Sequence, residues 1–382
     1  MLVTSRNATH RAMNPKRRQF LAQGSMSIAA LSLSACAGAP ARPRSGPDAI
    51  VDASFAGQPG SATGGRPTYR TLGEALEASP NFTDTWQILI KPGRYVEKLT
   101  ITQSGVHLLG EDRERTILSF GAYAGQPRTG GAGTWGTNGS ATLTVSAKDF
   151  SAENLTIENS FDYPGNLARG SSDPAYTRGA QAVALYITGA ADRSLFRNVK
   201  LLGYQDTLFA DVGRARFDKC FITGNVDFIF GAASAWFEEC EIVTRSGGRT
   251  SRPIGWVTAP STKINRKYGF VFHRCRLARE TDVPDDSTLL GRPWHPSADP
   301  DAIGQSVFID CWMDAHISSN GWDSMSSTNK SGDKLTFKPE DSRFFELRSS
   351  GPGAHVSTQR RQLGEARAAE FTRDKVLDGW KP

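Results

Sequence analysis

Phe196-Arg197-Asn198-Val199-Lys200-Leu201 is followed by Phe217-Asp218-Lys219-Cys220-Phe221-Ile222 and by Phe237-Glu238-Glu239-Cys240-Glu241-Ile242, at intervals of 21 and 20 residues. The same pattern of Phe, mostly polar residues and a short apolar run occurs earlier, at Phe150-Ser151-Ala152-Glu153-Asn154-Leu155. It returns at Phe272-His273-Arg274-Cys275-Arg276-Leu277 and Phe308-Ile309-Asp310-Cys311-Trp312-Met313. The first interval is 46 residues and the last two are 35 and 36. A unit of about 20 to 25 residues, lengthened in places by loops, marks a stacked repeat. Apolar alternation punctuated by Gly and Asn makes strands, not helices, its contents. The pattern predicts a parallel β-helix, each coil resting on the one before.

That architecture converts sequence distance into space, because residues one coil apart stack at roughly 4.8 Å. Gly203-Tyr204-Gln205-Asp206-Thr207-Leu208-Phe209 and Gly224-Asn225-Val226-Asp227-Phe228-Ile229-Phe230-Gly231 each set one Asp among apolar and aromatic residues, 21 residues apart. Asp206 and Asp227 are therefore expected side by side on one face, with Gln181 of Gln181-Ala182-Val183-Ala184-Leu185 a coil further back. A buried carboxylate is costly, and two close together cannot ionise with equal ease. One is then suited to attack or accept a proton while the other holds one. The bland alternative is a pair of turn residues satisfied by backbone amides, as Asp commonly is.

These segments, with Gly93-Arg94-Tyr95-Val96-Glu97, Gly139-Ser140-Ala141-Thr142, Leu290-Gly291-Arg292-Pro293-Trp294, Gly321-Trp322, Gly351-Pro352-Gly353-Ala354 and Phe371-Thr372 to Gly379-Trp380, resemble the pectinesterases in kind and order. The resemblance covers most of residues 49–382. It implies an all-β, right-handed, single-stranded parallel β-helix with long surface loops and a C-terminal helical segment. It also implies removal of methyl esters from galacturonic acid units of pectin or short oligogalacturonides, with no cofactor or metal. Carried over residue by residue, Asp227 is the nucleophile, Asp206 the general acid/base, and Gln181 and Gln205 the oxyanion donors. Arg292 holds Asp227 ionised and Trp294 lines the sugar cleft; Thr142, Val226 and Phe230 match substrate contacts. Cys220 and Cys240 resemble a pair that forms a disulfide in relatives, while Cys275 and Cys311, in the same repeat slot, either pair or fill the core. The chain departs from the family in a long polar insertion, Phe161–Gly179, ending beside Gln181. The insertion and the Gly-rich stretch Tyr123–Asn138 are expected to wall the cleft.

The N-terminus reads as a separate device. Lys16-Arg17-Arg18-Gln19-Phe20-Leu21 resembles a twin-arginine export signal, and Leu33-Ser34-Ala35-Cys36 a lipobox in which Cys36 takes lipid. Residues 1–35 are thus expected to be an export signal and 36–48 a flexible tether to an outer-membrane anchor, with residues 49–382 the catalytic domain. The first 35 residues hold five basic groups and no acidic one, so losing them lowers the formal charge from +6 to +1. The basic balance therefore gives no ground for nucleic-acid binding; a solenoid grows along one axis, so residues 49–382 count as one domain, and a monomer is expected. The six His show no paired metal-ligand spacing, and no Gly-x-Ser-x-Gly elbow marks a serine esterase. Two alternatives keep the same cluster: an envelope thioesterase or esterase acting on acyl-CoA or another small ester, and a non-catalytic carbohydrate-binding protein. The latter more naturally lacks one of Asp206, Asp227 or Arg292.

Overall fold

A computed structural model describes residues 46–79, 85–128 and 130–382. The signal and lipobox assigned to residues 1–35 and Cys36, and most of the tether, lie outside the described residues. From Ala49–Val51 onward the chain winds into coils whose strands stack as three long sheets of twelve, eight and seven strands. Pairing between coils is parallel; a hairpin at Ala62–Thr63 and Arg66–Tyr69 is antiparallel, as is one joining Met325–Thr328 to Lys334–Phe337. This is the parallel β-helix that the repeat predicts.

The Phe repeat forms the spine of the interior. Phe196, Phe217, Phe237, Phe272 and Phe308 share one register position, and their rings stack at 4.8, 4.7, 4.4 and 4.5 Å. Each lies fully buried, where a large aromatic contributes most. Two residues after each Phe the backbone turns through a left-handed residue: Asn198, Lys219, Glu239, Arg274 and Asp310. That turn directs the following Val199 or Cys inward and starts the next strand. Phe150 breaks the pattern. Ala152, not Phe150, pairs with Phe196, so the first unit is offset by two residues and its ring meets Phe196 tilted by 50°.

Cys220, Cys240, Cys275 and Cys311 occupy the slot after the left-handed turn and are free, buried thiols. Each donates to the carbonyl of the Phe one coil back, at 3.5, 3.3, 3.4 and 3.5 Å. The Cys220–Cys240 disulfide implied by the resemblance is thus corrected to a column of small core side chains. Toward the C-terminus, Glu365–Ala368 and Arg373–Val376 form short helices. Phe371, Val376 and Leu377 of this segment cover Trp236, Tyr268, Val271 and Ile309 on the outer face of the twelve-stranded sheet.

Candidate active site

The seven-stranded sheet positions the chemistry. Leu185–Ile187, Leu208–Ala210, Ile229–Gly231, Gly255–Pro260 and Thr288–Gly291 are neighbours in that order. Leu208 pairs with Ile229, so Asp206 and Asp227, each two residues earlier, occupy one slot in adjacent coils. Both take left-handed backbone, φ 64° and 50°, a conformation that Asp and Asn tolerate better than other side chains. Gly224 makes the turn before Asp227 possible, since a Cβ there would lie 2.1 Å from that of Phe228 and 2.6 Å from the Tyr204 carbonyl.

Arg292, one residue past Thr288–Gly291, grips Asp227 with both edges of its fork. Its Nε donates to Oδ1 at 2.8 Å and its Nη2 to Oδ2 at 2.6 Å. Bidentate pairing of this kind fixes orientation as well as charge. Among the described residues Asp206 has no such partner. Gln181 and Gln205 enter the same cleft, and neither side-chain amide makes a hydrogen bond among the described residues. The cleft, about 480 Å³, is lined by these residues together with Thr137, Asn138, Phe209, Phe230, Ala259, Trp294 and Met325. A larger cavity, about 690 Å³, lies under the C-terminal segment, but its Asp192 and Arg214 already pair with each other at 2.5 Å.

Burial drives both carboxyls above the usual carboxylate range. Asp206 is driven far higher, by burial first and by the neighbouring charge of Asp227 second, with Arg292 opposing. Asp227 is also raised by burial, against which the hydrogen bonds and charge of Arg292 work. Arg292 pulls Asp227 downward, in the expected direction, but burial exceeds that pull and the net shift is upward. The order survives: Asp227 ionises first and Asp206 keeps its proton longer.

The structure brings Asp206, Asp227, Gln181, Gln205, Arg292, Phe230 and Trp294 together in the lining of one cleft. Two expected contacts are elsewhere. Thr142 is fully buried and spends its hydroxyl on the carbonyl of Glu158 at 2.9 Å. Val226 packs on Trp256 and Leu289. The insertion also differs from expectation: the cleft is walled by Thr137 and Asn138 of the Gly-rich stretch, and by no residue of Phe161–Gly179. Instead the insertion braces that stretch from behind. Gly125 donates to the Gly179 carbonyl at 2.8 Å and Phe161 packs its ring on Tyr123 at 4.4 Å, while Tyr163, in the helix Tyr163–Arg169, stacks on Tyr204 at 5.2 Å. Phe209 was legible, standing 21 residues before Phe230 as Asp206 stands before Asp227. Met325 was not, because it arrives from a hairpin outside the repeat.

Stacked coils and a cleft holding paired acids define the chain as an enzyme-like parallel β-helix. A family model for pectinesterase matches residues 60–379, and the chain belongs to the pectinesterase family. It is 48% identical over 326 residues to pectinesterase A of Dickeya dadantii, covering 82% of this chain and 88% of that one. Pectinesterase 31 of Arabidopsis thaliana is 30% identical over 324 residues, covering 81% and 89%. Among solved structures, a pectin methylesterase in complex with a hexasaccharide superposes with a TM-score of 0.83 at 46% identity, over 89% of this chain and 99% of that one. The enzyme from Yersinia enterocolitica gives 0.78 at 42%, over 82% and 99%.

Proposed function

We propose that this pectinesterase removes methyl esters from galacturonic acid units by covalent catalysis at Asp227. The observation that carries the reading is one carboxylate locked by Arg292 beside a second that is unpaired, with two uncommitted Gln amides in the same cleft. An Asp227 carboxylate oxygen attacks the ester carbonyl carbon, whose oxygen becomes an oxyanion. Gln181 and Gln205 donate N–H to that oxygen, a role worth roughly 3 to 4 kcal/mol per donor. As the tetrahedral intermediate collapses, the C–O bond to methoxide breaks and Asp206 supplies the proton that makes methanol. Asp206, now ionised, takes a proton from water, which attacks the acyl-enzyme and regenerates Asp227 as the galacturonate leaves. Phe209, Phe230 and Trp294 offer apolar faces for the sugar and its methyl group.

The test is methanol release by protein truncated before residue 37, offered methylated pectin, short methylated oligogalacturonides and acyl-CoA esters. Release from the uronate esters is expected. Hydrolysis of thioesters alone would assign the site to a thioesterase, and saccharide binding with no turnover would assign it to a binding protein. Export and lipid anchorage through Cys36 rest on the Lys16-Arg17-Arg18 and Leu33-Ser34-Ala35-Cys36 motifs. Cys36→Ser is expected to move the full-length protein out of the membrane fraction; an unchanged fraction would refute the anchor.

A further inference from the structure

The Asp227–Arg292 pair is itself held by groups that do not line the cleft. Two residues before Thr258, which pairs with Ile229, Trp256 donates its backbone N–H to the Asn225 carbonyl at 2.9 Å and so sits beside Val226 in the next coil, next to the Asp227 slot. It is 8% exposed and packed on Val226 and Leu289. The guanidinium carbon of Arg292 lies 3.7 Å from the centre of the Trp256 ring. The indole N–H donates to Asp323 Oδ2 at 3.1 Å, and the Asp323 backbone N–H donates at 3.1 Å to the carbonyl of Gly291, the residue before Arg292. The arrangement closes a loop from Arg292 through its ring and tether back to its own strand. An arginine fork has several rotatable bonds, and fixing them costs entropy at each turnover unless the surroundings impose one geometry. Two edge atoms grip Asp227; the flat face is left for an aromatic plane to fix.

We propose that Trp256, tethered by Asp323, is a positioning residue that holds Arg292 flat and in line with Asp227. The inference rests on the nucleophilic role given to Asp227. Around Asp227 stand Asp206, Arg292, Arg249 and Asp323, and the last two act on its charge through space, Arg249 in its favour and Asp323 against. Trp256 and Asp323 therefore have separable effects. Losing the ring frees the guanidinium and disfavours the Asp227 anion. Losing the Asp323 charge while keeping an acceptor leaves the ring in place and favours that anion.

The experiment measures kcat, KM and the acid limb of kcat/KM for Trp256→Leu, Trp256→Phe and Asp323→Asn, beside titration of the Asp227 carboxyl by carbon NMR, which needs no substrate. Trp256→Leu is expected to lower kcat roughly 3- to 30-fold, as loss of a desolvated cation–ring contact implies, with KM within about twofold. Its acid limb and the Asp227 titration should both move to higher pH. Trp256→Phe should restore most of kcat, and Asp323→Asn should move both readings to lower pH. A limb and titration unmoved in Trp256→Leu, or in the ring-less Trp256→Met if the former does not fold, would overturn the proposal even if thermal stability falls. Wild-type protein that releases no methanol, with a titration that still responds to Trp256, would overturn the catalytic reading and leave the positioning one standing.

Discussion

At the scale of single residues, the site's behaviour turns on two carboxyls in one slot of successive coils. Asp227 must be ionised and Asp206 protonated for the first half-reaction, so activity should be bell-shaped in pH. Because burial raises Asp227, the acid limb should lie above the ordinary carboxylate range. Asp227→Asn is expected to cost at least about 10³-fold in kcat, the scale of losing a nucleophile. Asn adopts left-handed backbone readily, so the fold should persist, with a melting temperature within a few degrees. Stability offers an independent check on Asp206. A carboxyl whose folded pKa is raised binds its proton more tightly folded than unfolded. Its contribution is fully present below the unfolded pKa and is lost as pH rises toward the folded one, at about 1.4 kcal/mol per unit of separation. Asp206→Asn cannot ionise, so it should be more stable than wild type at pH 7 and equal to it at pH 3. Equal urea midpoints at both pH values would show that Asp206 is not held protonated.

At the scale of elements, the repeat was legible because stacking demands one large apolar side chain per coil at a fixed point. The Phe column and the two Asp slots follow from that demand alone. What was hidden came from outside the period. The offset of Phe150 escaped notice because a Phe two residues early preserves the composition but not the register. Thr142 and Val226 lie in the turns just before Leu143–Val145 and Ile229–Gly231, and a motif does not say which way a turn residue points its side chain. The insertion failed as a wall for a related reason: polar composition marks a loop but not its direction. Asn166 locks it by exchanging two hydrogen bonds with Thr177, at 2.7 and 3.1 Å, and Tyr163 docks it on Tyr204, whose other contact is the Arg245 guanidinium at 3.9 Å. Phe161 packs its ring on Tyr123 at 4.4 Å, so Phe161→Ala should loosen the stretch that carries Thr137 and Asn138, raising KM several-fold. The Asp227–Arg292 geometry belongs to the sheet, so kcat should stay within about twofold. Initial-rate kinetics on one methylated oligomer decides the matter; a fall in kcat alone would place the insertion's effect on Gln181 instead.

At the scale of the whole molecule, a solenoid is stable only as far as each coil is covered by the next, so its ends need closure. The ring column continues past Phe308 through Trp322 to Phe344, with Trp322 and Phe344 stacked at 4.5 Å. Beside it Arg360 and Glu346 form a fully buried pair, with Nε to Oε1 at 2.7 Å and Nη2 to Oε2 at 2.6 Å. The remaining donors are not wasted on vacuum: Arg360 Nη1 donates to the Gly353 carbonyl at 2.7 Å, and Ser349 donates to Glu346 at 3.1 Å. Gly353 is fixed by the same closure, since a Cβ would fall 2.2 Å from the Asp314 carbonyl. Gly351-Pro352-Gly353-Ala354, read in the sequence as a family mark, is thus part of an end cap and contributes nothing to the cleft lining. Breaking one side of a buried pair leaves an uncompensated charge and costs about 3 to 5 kcal/mol, whereas replacing both sides by apolar groups is often neutral. Glu346→Gln and Arg360→Met alone should each lower the unfolding free energy by that amount. Glu346→Leu combined with Arg360→Met should recover much of the loss, and folded protein of every variant should keep the wild-type kcat. Denaturant unfolding of the four proteins tests this: single variants as stable as wild type would show that the pair does not close the solenoid, and a double variant no better than the singles would show that packing around Gly353, not charge, sets the cost.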